Sequence, residues 1–154
     1  MSKKSAGIIL YRTQNDLFEI LLVHPGGPFW VKKDEGAWTI PKGEFDDEDP
    51  LEAAKREFEE ETGKKVSGKF IELKPVKQKS GKLIFAWAVE GNMDTATIKS
   101  NEFEIEWPPG SGKMKSFPEI DKAGWFTIRD AAIKINPGQL SLIKELEETK
   151  RRLI

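Results

Sequence analysis

The sequence contains no cysteine, and this absence removes several kinds of protein from consideration. Disulfide frameworks, thiolate zinc sites and cysteine nucleophiles all need a side chain that is missing here. Histidine is almost as scarce, since His24 is the single example, and this disfavours multi-histidine metal sites and most Ser/His/Asp triads. The lack of cysteine also gives no reason to expect an oxidising compartment.

Long apolar runs and a strong charge of either sign are also lacking. No run approaches membrane-spanning length, and the apolar stretch 6–10 is too short for the core of a signal peptide. The formal net charge is −1, which supplies no overall positive field to hold DNA, RNA or an acidic membrane. We therefore expect a cytoplasmic protein, active as a monomer or homodimer, with no membrane or DNA partner. A polyanionic substrate would need local cations, either lysine and arginine or a bound metal.

The remaining composition is that of an ordinary soluble domain. The chain has 154 residues, of which 38% are hydrophobic and 33% are charged, and we expect one domain over residues 1–154. Residues 5–12 and 17–24 predict a β-hairpin joined by a polar turn at 13–16. Further segments follow from turn and strand signals. They are a strand at 37–40, a turn at 41–43, strands at 70–73, 83–89 and 124–127, and a long loop at 101–115 that contains two prolines and two glycines.

Three segments carry helix signals. The clearest has Asp49 as N-cap, Pro50 at the first helical position, Glu52 completing a capping box and Gly63 as the stop. Thr127 begins a pattern that could cap a short helix. A final helix is predicted over 139–153, with four residues directed inward: Leu142, Ile143, Leu146 and Leu153. Several strands with helices in the middle and at the end predict an α/β fold, a mixed β-sheet layered between helices.

The glutamates near the end of the first helix are the most informative feature. At about 100° per residue, Glu57, Glu60 and Glu61 share one face, while Glu59 points almost the opposite way. The acids crowd the helix C-terminus, where the macrodipole favours cations, and acids at i,i+4 spacing repel each other. A solvated acidic face is one interpretation. The other is a site for Mg²⁺ or Mn²⁺, because hard divalent ions prefer oxygen ligands.

The surrounding residues resemble the Nudix box, in which Gly, five residues, Glu and seven residues precede Arg-Glu-aliphatic-x-Glu-Glu-x-Gly-aliphatic. Glu48, seven residues and then residues 56–63, with the sequence REFEEETG, keep this spacing. The match covers about a seventh of the chain and is long and specific. Two departures stand out. Only four residues separate Gly43 from Glu48, which leaves the role of Glu48 open, and Lys64 occupies a position where an aliphatic residue is usual.

The resemblance implies a Nudix-type α/β/α sandwich and a metal-dependent pyrophosphohydrolase. It implies that Glu57, Glu60 and Glu61 bind Mg²⁺ or Mn²⁺ together with the carbonyl of Lys42, whose ammonium could also meet a phosphate. Arg56 would orient the acids. Glu119 is similar to the distal carboxylate of the dinucleoside polyphosphate hydrolase branch and would act as base or extra ligand. The competing residues for this role are Glu104 and Glu106.

The resemblance implies a nucleotide-type small molecule as substrate, with a dinucleoside polyphosphate or nucleoside triphosphate preferred. ADP-ribose, a nucleotide sugar and the 5′ end of RNA are the alternatives, and a nucleotide-binding module without catalysis is the rival from another class. One of the loop tryptophans could stack on a base, with Trp30 preferred over Trp38 and Trp107, although packing is the more ordinary role for such a residue. His24 ends a strand beside a Gly/Pro loop, where bonding to the backbone competes with substrate contact.

Overall fold

The computed structural model describes residues 3–153, with side chains described as far as residue 151. Its chain begins with the predicted hairpin, in which β1 (Lys4–Gln14) and β2 (Leu17–Pro25) pair antiparallel. Asn15 and Asp16 make the turn with φ values of 53° and 66°. Asparagine and aspartate tolerate this left-handed conformation better than most residues, so the polar turn fits its sequence.

The hairpin forms the centre of a mixed sheet. The remaining strands of this sheet are β3 (Lys42–Phe45), β4 (Ile71–Glu72), β5 (Val76–Lys77), β6 (Leu83–Glu90) and β9 (Ile120–Thr127). The strand order is β4-β6-β1-β2-β9, while β3 pairs with β1 and β5 pairs with β6. The β1–β6 pair is parallel and the other pairs are antiparallel.

Helices cover both faces of the sheet, and alternation along the central strand separates two apolar layers. Ile8 and Leu10 face α1 (Pro50–Thr62), whose Ala53, Ala54 and Phe58 complete one core. Ile9, between them, faces the other core, which includes residues of α2 (Ile128–Lys134) and α3 (Leu140–Leu153). The predicted α/β/α sandwich is therefore confirmed.

The helix boundaries agree closely with the sequence signals. The Asp49 carboxylate accepts a bond from the Glu52 amide at 3.2 Å, and Gly63 ends α1 with φ of 77°. The Thr127 hydroxyl caps α2 through the Asp130 amide. On α3, three of the predicted inward residues are buried, namely Leu142, Ile143 and Leu146, whereas the side chain of Leu153 lies outside the described residues. Among the described residues, no helix combines the length and apolar character needed to cross a bilayer.

The predictions for residues 37–43 were wrong. The segment 37–40 forms only isolated bridges, from Thr39 to Val23 and from Trp38 to Ile135. Its backbone is held partly by the side chain of Gln139, which accepts from the Ile40 amide. The expected turn at 41–43 instead leads into β3, because Lys42 and Gly43 pair with the start of β1. A short, mainly apolar segment can be buried without extending a sheet ladder, and periodicity does not distinguish the two cases.

The predicted long loop at 101–115 was also wrong in part. A separate two-stranded antiparallel sheet, β7 (Glu102–Glu106) and β8 (Met114–Pro118), occupies much of it. The Pro- and Gly-rich residues 107–112 make the connection between these strands. Strand alternation is present in β7, where the even-numbered glutamates are exposed and Phe103 and Ile105 are partly buried. The prolines indicate where the strands stop, which is compatible with a hairpin.

Candidate metal and phosphate site

The end of α1 brings the three predicted acids to one edge of the core. Glu57 and Glu61 are buried, each with 9% of its surface exposed, while Glu60 is partly exposed and Glu59 is fully on the outside. The last turn contains no basic residue. The negative charge of α1 therefore lies at its C-terminal end, where burial and the helix macrodipole both disfavour ionised carboxylates.

Arg56 connects this cluster to the loop before the helix. Its Nε and one terminal nitrogen donate to both oxygens of Glu48, at 2.9 and 2.6 Å. The other terminal nitrogen donates to Glu57 at 2.8 Å and to Glu60 at 3.1 Å. This bidentate contact, which the sequence left open, lowers the pKa of Glu48 and raises that of Arg56. The shortened loop thus still places Glu48 against the arginine.

Gly43 faces Glu57 across the gap between β3 and α1. A Cβ atom at this glycine would overlap the Glu57 carboxylate. The lack of a side chain at Gly43 therefore leaves the space that the Glu57 carboxylate occupies, and no unusual backbone angle is involved. Neither the sequence spacing nor the helix pattern reveals this contact, because it depends on the strand that the sequence analysis missed.

Glu61 is the acid whose charge is least supported. Burial raises its pKa to about 8, against the opposing influence of the Lys42 backbone amide, which donates to its Oε1 at 3.2 Å, and of the Lys42 ammonium. Burial also raises the pKa of Glu57, although Arg56 opposes the shift and Glu60 adds to it. Charge is therefore costly at both positions in the protein by itself.

Glu119 belongs to the same cluster. Burial and the charge of Glu60 raise its pKa, and Glu119 in turn raises the pKa values of Glu57 and Glu61. Its backbone amide donates to Asn101, whose own amide donates to the carbonyl of Glu60, at 2.8 and 2.9 Å. Two successive backbone bonds thus attach this distal residue to the end of α1.

The two competing carboxylates lie on the β7–β8 hairpin. Glu104 is exposed opposite Ser116, and Glu106 accepts a bond from the amide of Gly110 at 2.7 Å within the hairpin connection. Neither is among the charges that shift the pKa values of the acids on α1. Of the three carboxylates considered from the sequence, Glu119 is the one placed in the cluster.

Lysines border the acids on the β3 side. Burial lowers the pKa of the Lys42 ammonium, with a further contribution from the positive charge of Lys82, while Glu61 opposes the shift. Lys82 forms an ion pair with Glu44 at 3.3 Å. Lys82, which lies immediately before β6, was not identified from the sequence. Two ammonium groups near each other favour an anion such as phosphate.

Trp30 and His24, the other two residues considered from the sequence, lie in or beside the loop after β2. Trp30 is 36% exposed, and the Lys33 ammonium lies 4.9 Å from its ring centroid. His24 is completely buried, with Nδ1 at 2.8 Å from Asp121 and Nε2 at 2.6 Å from the carbonyl of Lys33. Both imidazole nitrogens therefore have protein partners, and His24 connects the loop after β2 to strand β9 through Lys33 and Asp121.

The donor set fits a hard divalent cation. Within residues 3–153, no three acidic or histidine side chains converge closely enough to form a finished metal site, since Arg56 holds Glu57 and Glu60. The chemistry of the donors nevertheless matches Mg²⁺ or Mn²⁺, because all are oxygens and two carboxylates are buried. Glu57, Glu60 and Glu61 could hold such an ion, which would offset their mutual repulsion.

Solved structures of several known proteins share the fold of this chain. The NUDIX domain of Shewanella oneidensis NrtR, solved with ADP ribose, superposes with a TM-score of 0.68 at 17% identity, covering 100% of this chain and 90% of that one. A C. elegans Ap4A hydrolase gives a TM-score of 0.66 at 22% identity, covering 97% and 98%. A mutT/nudix family protein from Listeria innocua gives 0.63 at 16%, covering 97% and 94%.

At these identities the structural likeness demonstrates the fold alone. No curated protein matches the chain in a direct sequence search. The decisive comparison is with family models, where the NUDIX domain matches residues 1–146 and thus nearly the whole chain. The chain belongs to the NUDIX domain family.

Proposed function

We propose that this protein is a divalent-metal-dependent hydrolase that cleaves a pyrophosphate bond in a nucleoside diphosphate derivative, with a dinucleoside polyphosphate or a nucleoside triphosphate as the favoured substrate. The observation that carries the proposal is the gathering of Glu57, Glu60, Glu61 and Glu119 into one electrostatic cluster, with two of these acids buried. When bound, Mg²⁺ or Mn²⁺ would neutralise the substrate phosphates and make a water molecule more acidic.

Each residue then has a defined task. Glu57, Glu60 and Glu61, with the Lys42 carbonyl, would hold the cation, and Arg56 fixes the orientation of Glu57 and Glu60 through its bonds. Glu119 accepts the proton of the attacking water, a role for which its raised pKa is suited. The water oxygen forms a bond to phosphorus as the bridging phosphorus–oxygen bond of the anhydride breaks, and the leaving phosphate oxygen keeps the electron pair of the broken bond.

The lysine pair completes the site. Lys42 and Lys82 repel each other, and a phosphate placed between them would be bound by both. Phosphoryl transfer depends mainly on positioning and charge stabilisation, so carboxylates, a cation and two lysines supply what the reaction needs. The cytoplasmic location and the absence of a DNA partner remain predictions from composition.

A nucleotide-binding module without catalysis is the rival. The buried acids argue against it, because a module that only binds nucleotide has no need to retain repelling carboxylates at a helix C-terminus. The related solved structures include both an Ap4A hydrolase and a NUDIX domain complexed with ADP ribose. These neighbours support a nucleotide ligand and define the panel for testing.

The test is a chromatographic screen for hydrolysis products with Mg²⁺, Mn²⁺ or EDTA over Ap4A, nucleoside triphosphates, ADP-ribose, a nucleotide sugar and 5′-triphosphorylated RNA. We expect turnover of at least one compound and its loss in EDTA. Glu60→Gln should lower kcat by orders of magnitude, because it removes charge but little volume. Glu59→Gln is the matched control on the exposed side of the same turn and should retain activity. Full turnover in EDTA, or equal small effects of both substitutions, would refute the proposal.

A further inference from the structure

The β7–β8 hairpin is attached at its base to the acidic cluster. Asn101 precedes it and donates to the Glu60 carbonyl at 2.9 Å, and Glu119 follows it and donates to the Asn101 carbonyl at 2.8 Å. Among the described elements, β7 and β8 make their extensive contacts with each other. The hairpin is therefore joined at its start to the end of α1 through Asn101, and it is followed by Glu119 of the proposed site.

A second loop packs on the same base. The Gly26 amide donates to the Glu119 carbonyl at 2.8 Å. A Cβ atom on Gly27 would lie 2.8 Å from the ring of Phe103, and Gly27 has φ of 97°, so both space and backbone angle require glycine there. The loop after β2 and the hairpin are thus held together immediately beside Glu119.

Aromatic side chains lie exposed where these two segments meet. Phe29 and Trp107 contact edge to face, with ring centroids 5.5 Å apart and an interplanar angle of 81°. Phe29 is nevertheless 61% exposed, and its neighbour Val31 is 63% exposed. Adjacent exposed apolar side chains are unfavourable in water and commonly mark a binding surface.

The loop beside this surface carries charges of both signs. Lys32 and Lys33 follow the aromatic residues, ahead of Asp34 and Glu35, and Asp34 is paired with Lys134. The Lys33 ammonium lies over the ring of Trp30 at 4.9 Å. A surface that combines open aromatic faces with nearby ammonium groups suits a base attached to phosphates. Phe29 is three residues from Gly26, so its backbone is within roughly 11 Å of that anchor. Because the Gly26 amide is bonded to the Glu119 carbonyl, the aromatic surface belongs to a segment that is anchored beside the acidic cluster.

We propose that Phe29 and Trp107 form a stacking platform for a nucleobase of the substrate. The inference rests on the proposed function and deepens it, because it predicts that the enzyme selects base-containing polyphosphates over inorganic ones. The hairpin then serves as a specificity element that is attached to the catalytic residues through Asn101 and Glu119. Phe29 presents the open ring, and Trp107 supports it from the side.

The experiment compares KM values for ATP and Ap4A with the KM for inorganic tripolyphosphate, which has the anhydride and no base. Phe29→Ala should raise KM for the nucleotides about tenfold or more, the loss expected for one stacked base, with tripolyphosphate unaffected. Phe29→Leu keeps an apolar side chain without a ring and should behave like alanine. Phe29→Tyr keeps the ring and should recover most of the loss. Leu17→Ala, an exposed residue at the opposite end of β2, is the control.

Three outcomes would overturn the platform. Phe29→Leu could match wild type, which would indicate apolar packing and not stacking. Phe29→Ala could raise KM equally for tripolyphosphate. It could also leave all KM values unchanged while converting a dimer into a monomer in sedimentation, which would assign the surface to a second copy of the chain. The Kd of AMP, measured by calorimetry for the same variants, keeps the test decisive if no compound is hydrolysed. In that case the proposed function fails, while the platform stands or falls on AMP binding.

Discussion

Glu61 is an acid whose folded environment favours the proton. Its pKa is raised to about 8, mainly by burial, whereas in the unfolded chain a glutamate titrates near pH 4. The folded state therefore binds a proton between these values that the unfolded state has released. It follows that the stabilising contribution of protonated Glu61 is complete below pH 4 and is lost as the pH rises through about 8.

We predict that, in EDTA, the free energy of unfolding falls between pH 5 and pH 8. Glu61→Gln should show a smaller fall, because its amide does not ionise, and Mg²⁺ should also reduce the fall if Glu61 binds the ion. Urea titrations at several pH values make the measurement. Glu59→Gln, on the exposed side of the helix, should keep the wild-type slope. Parallel slopes for Glu61→Gln and wild type would contradict the assignment.

Glu119 provides a second test at a single residue. If it accepts the proton of the attacking water, Glu119→Ala should lower kcat far more than it raises KM. The substitution should also flatten the rising limb of the pH–rate profile, because a base must be ionised to act and Glu119 has a raised pKa. Glu106→Ala is the matched control, since this residue only accepts a bond within the hairpin connection. A wild-type rate for Glu119→Ala would transfer the role to another carboxylate.

Between elements, the sharpest contact joins β3 to α1 through Gly43 and Glu57. Gly43→Ala should reduce kcat, because the added methyl group displaces the Glu57 carboxylate, and it should destabilise the protein by about 1 kcal/mol through the disturbed bond from Arg56. The substitution itself needs no unusual φ at this position, so the cost should come from the overlap.

A double-mutant cycle isolates that overlap. In a Glu57→Ala background the carboxylate is gone, and Gly43→Ala should then cost much less stability than in wild type. The free energies of unfolding of the four proteins are measured by urea titration. An identical cost in both backgrounds would show that Gly43 is required for another reason.

On the scale of the whole molecule, the metal should act as a stabilising ligand. A cation that binds only the folded arrangement stabilises by RT ln(1 + [L]/Kd), about 2.7 kcal/mol at a hundredfold excess over Kd. For a chain of this size we predict that millimolar Mg²⁺ raises Tm by several degrees. The Glu57→Gln/Glu60→Gln variant should respond weakly in the same thermal scans at matched ionic strength. An equal response of both proteins would place the cation elsewhere.

Without metal, two opposing effects act on the Tm of that variant. Repulsion among the acids alone would predict a higher Tm without metal once two charges are removed. Arg56 donates to both Glu57 and Glu60, however, so the variant also loses favourable charge-assisted bonds. The two effects oppose each other, and the difference in metal response is therefore more informative than the absolute Tm.

Much of the first helix and its chemistry was determined by the sequence itself. Asp49 and Gly63 mark the ends of α1 because caps depend on bonds between residues close in the chain. The shared face of Glu57, Glu60 and Glu61 follows from helix periodicity alone. The hairpin of β1 and β2 and the layered α/β architecture were predicted for the same reason, since each follows from a local pattern.

Only the tertiary structure decided how distant segments meet. The sequence does not show that β3 brings Gly43 against Glu57, or that Asn101 and Glu119 are bonded to the end of α1. It also does not reveal that loop and hairpin place Phe29 beside Trp107. Spacing along the chain carries information about turns and periods, whereas these contacts depend on which strands pair and in what register. That pairing is settled by burial of the two apolar layers, which is a property of the whole fold.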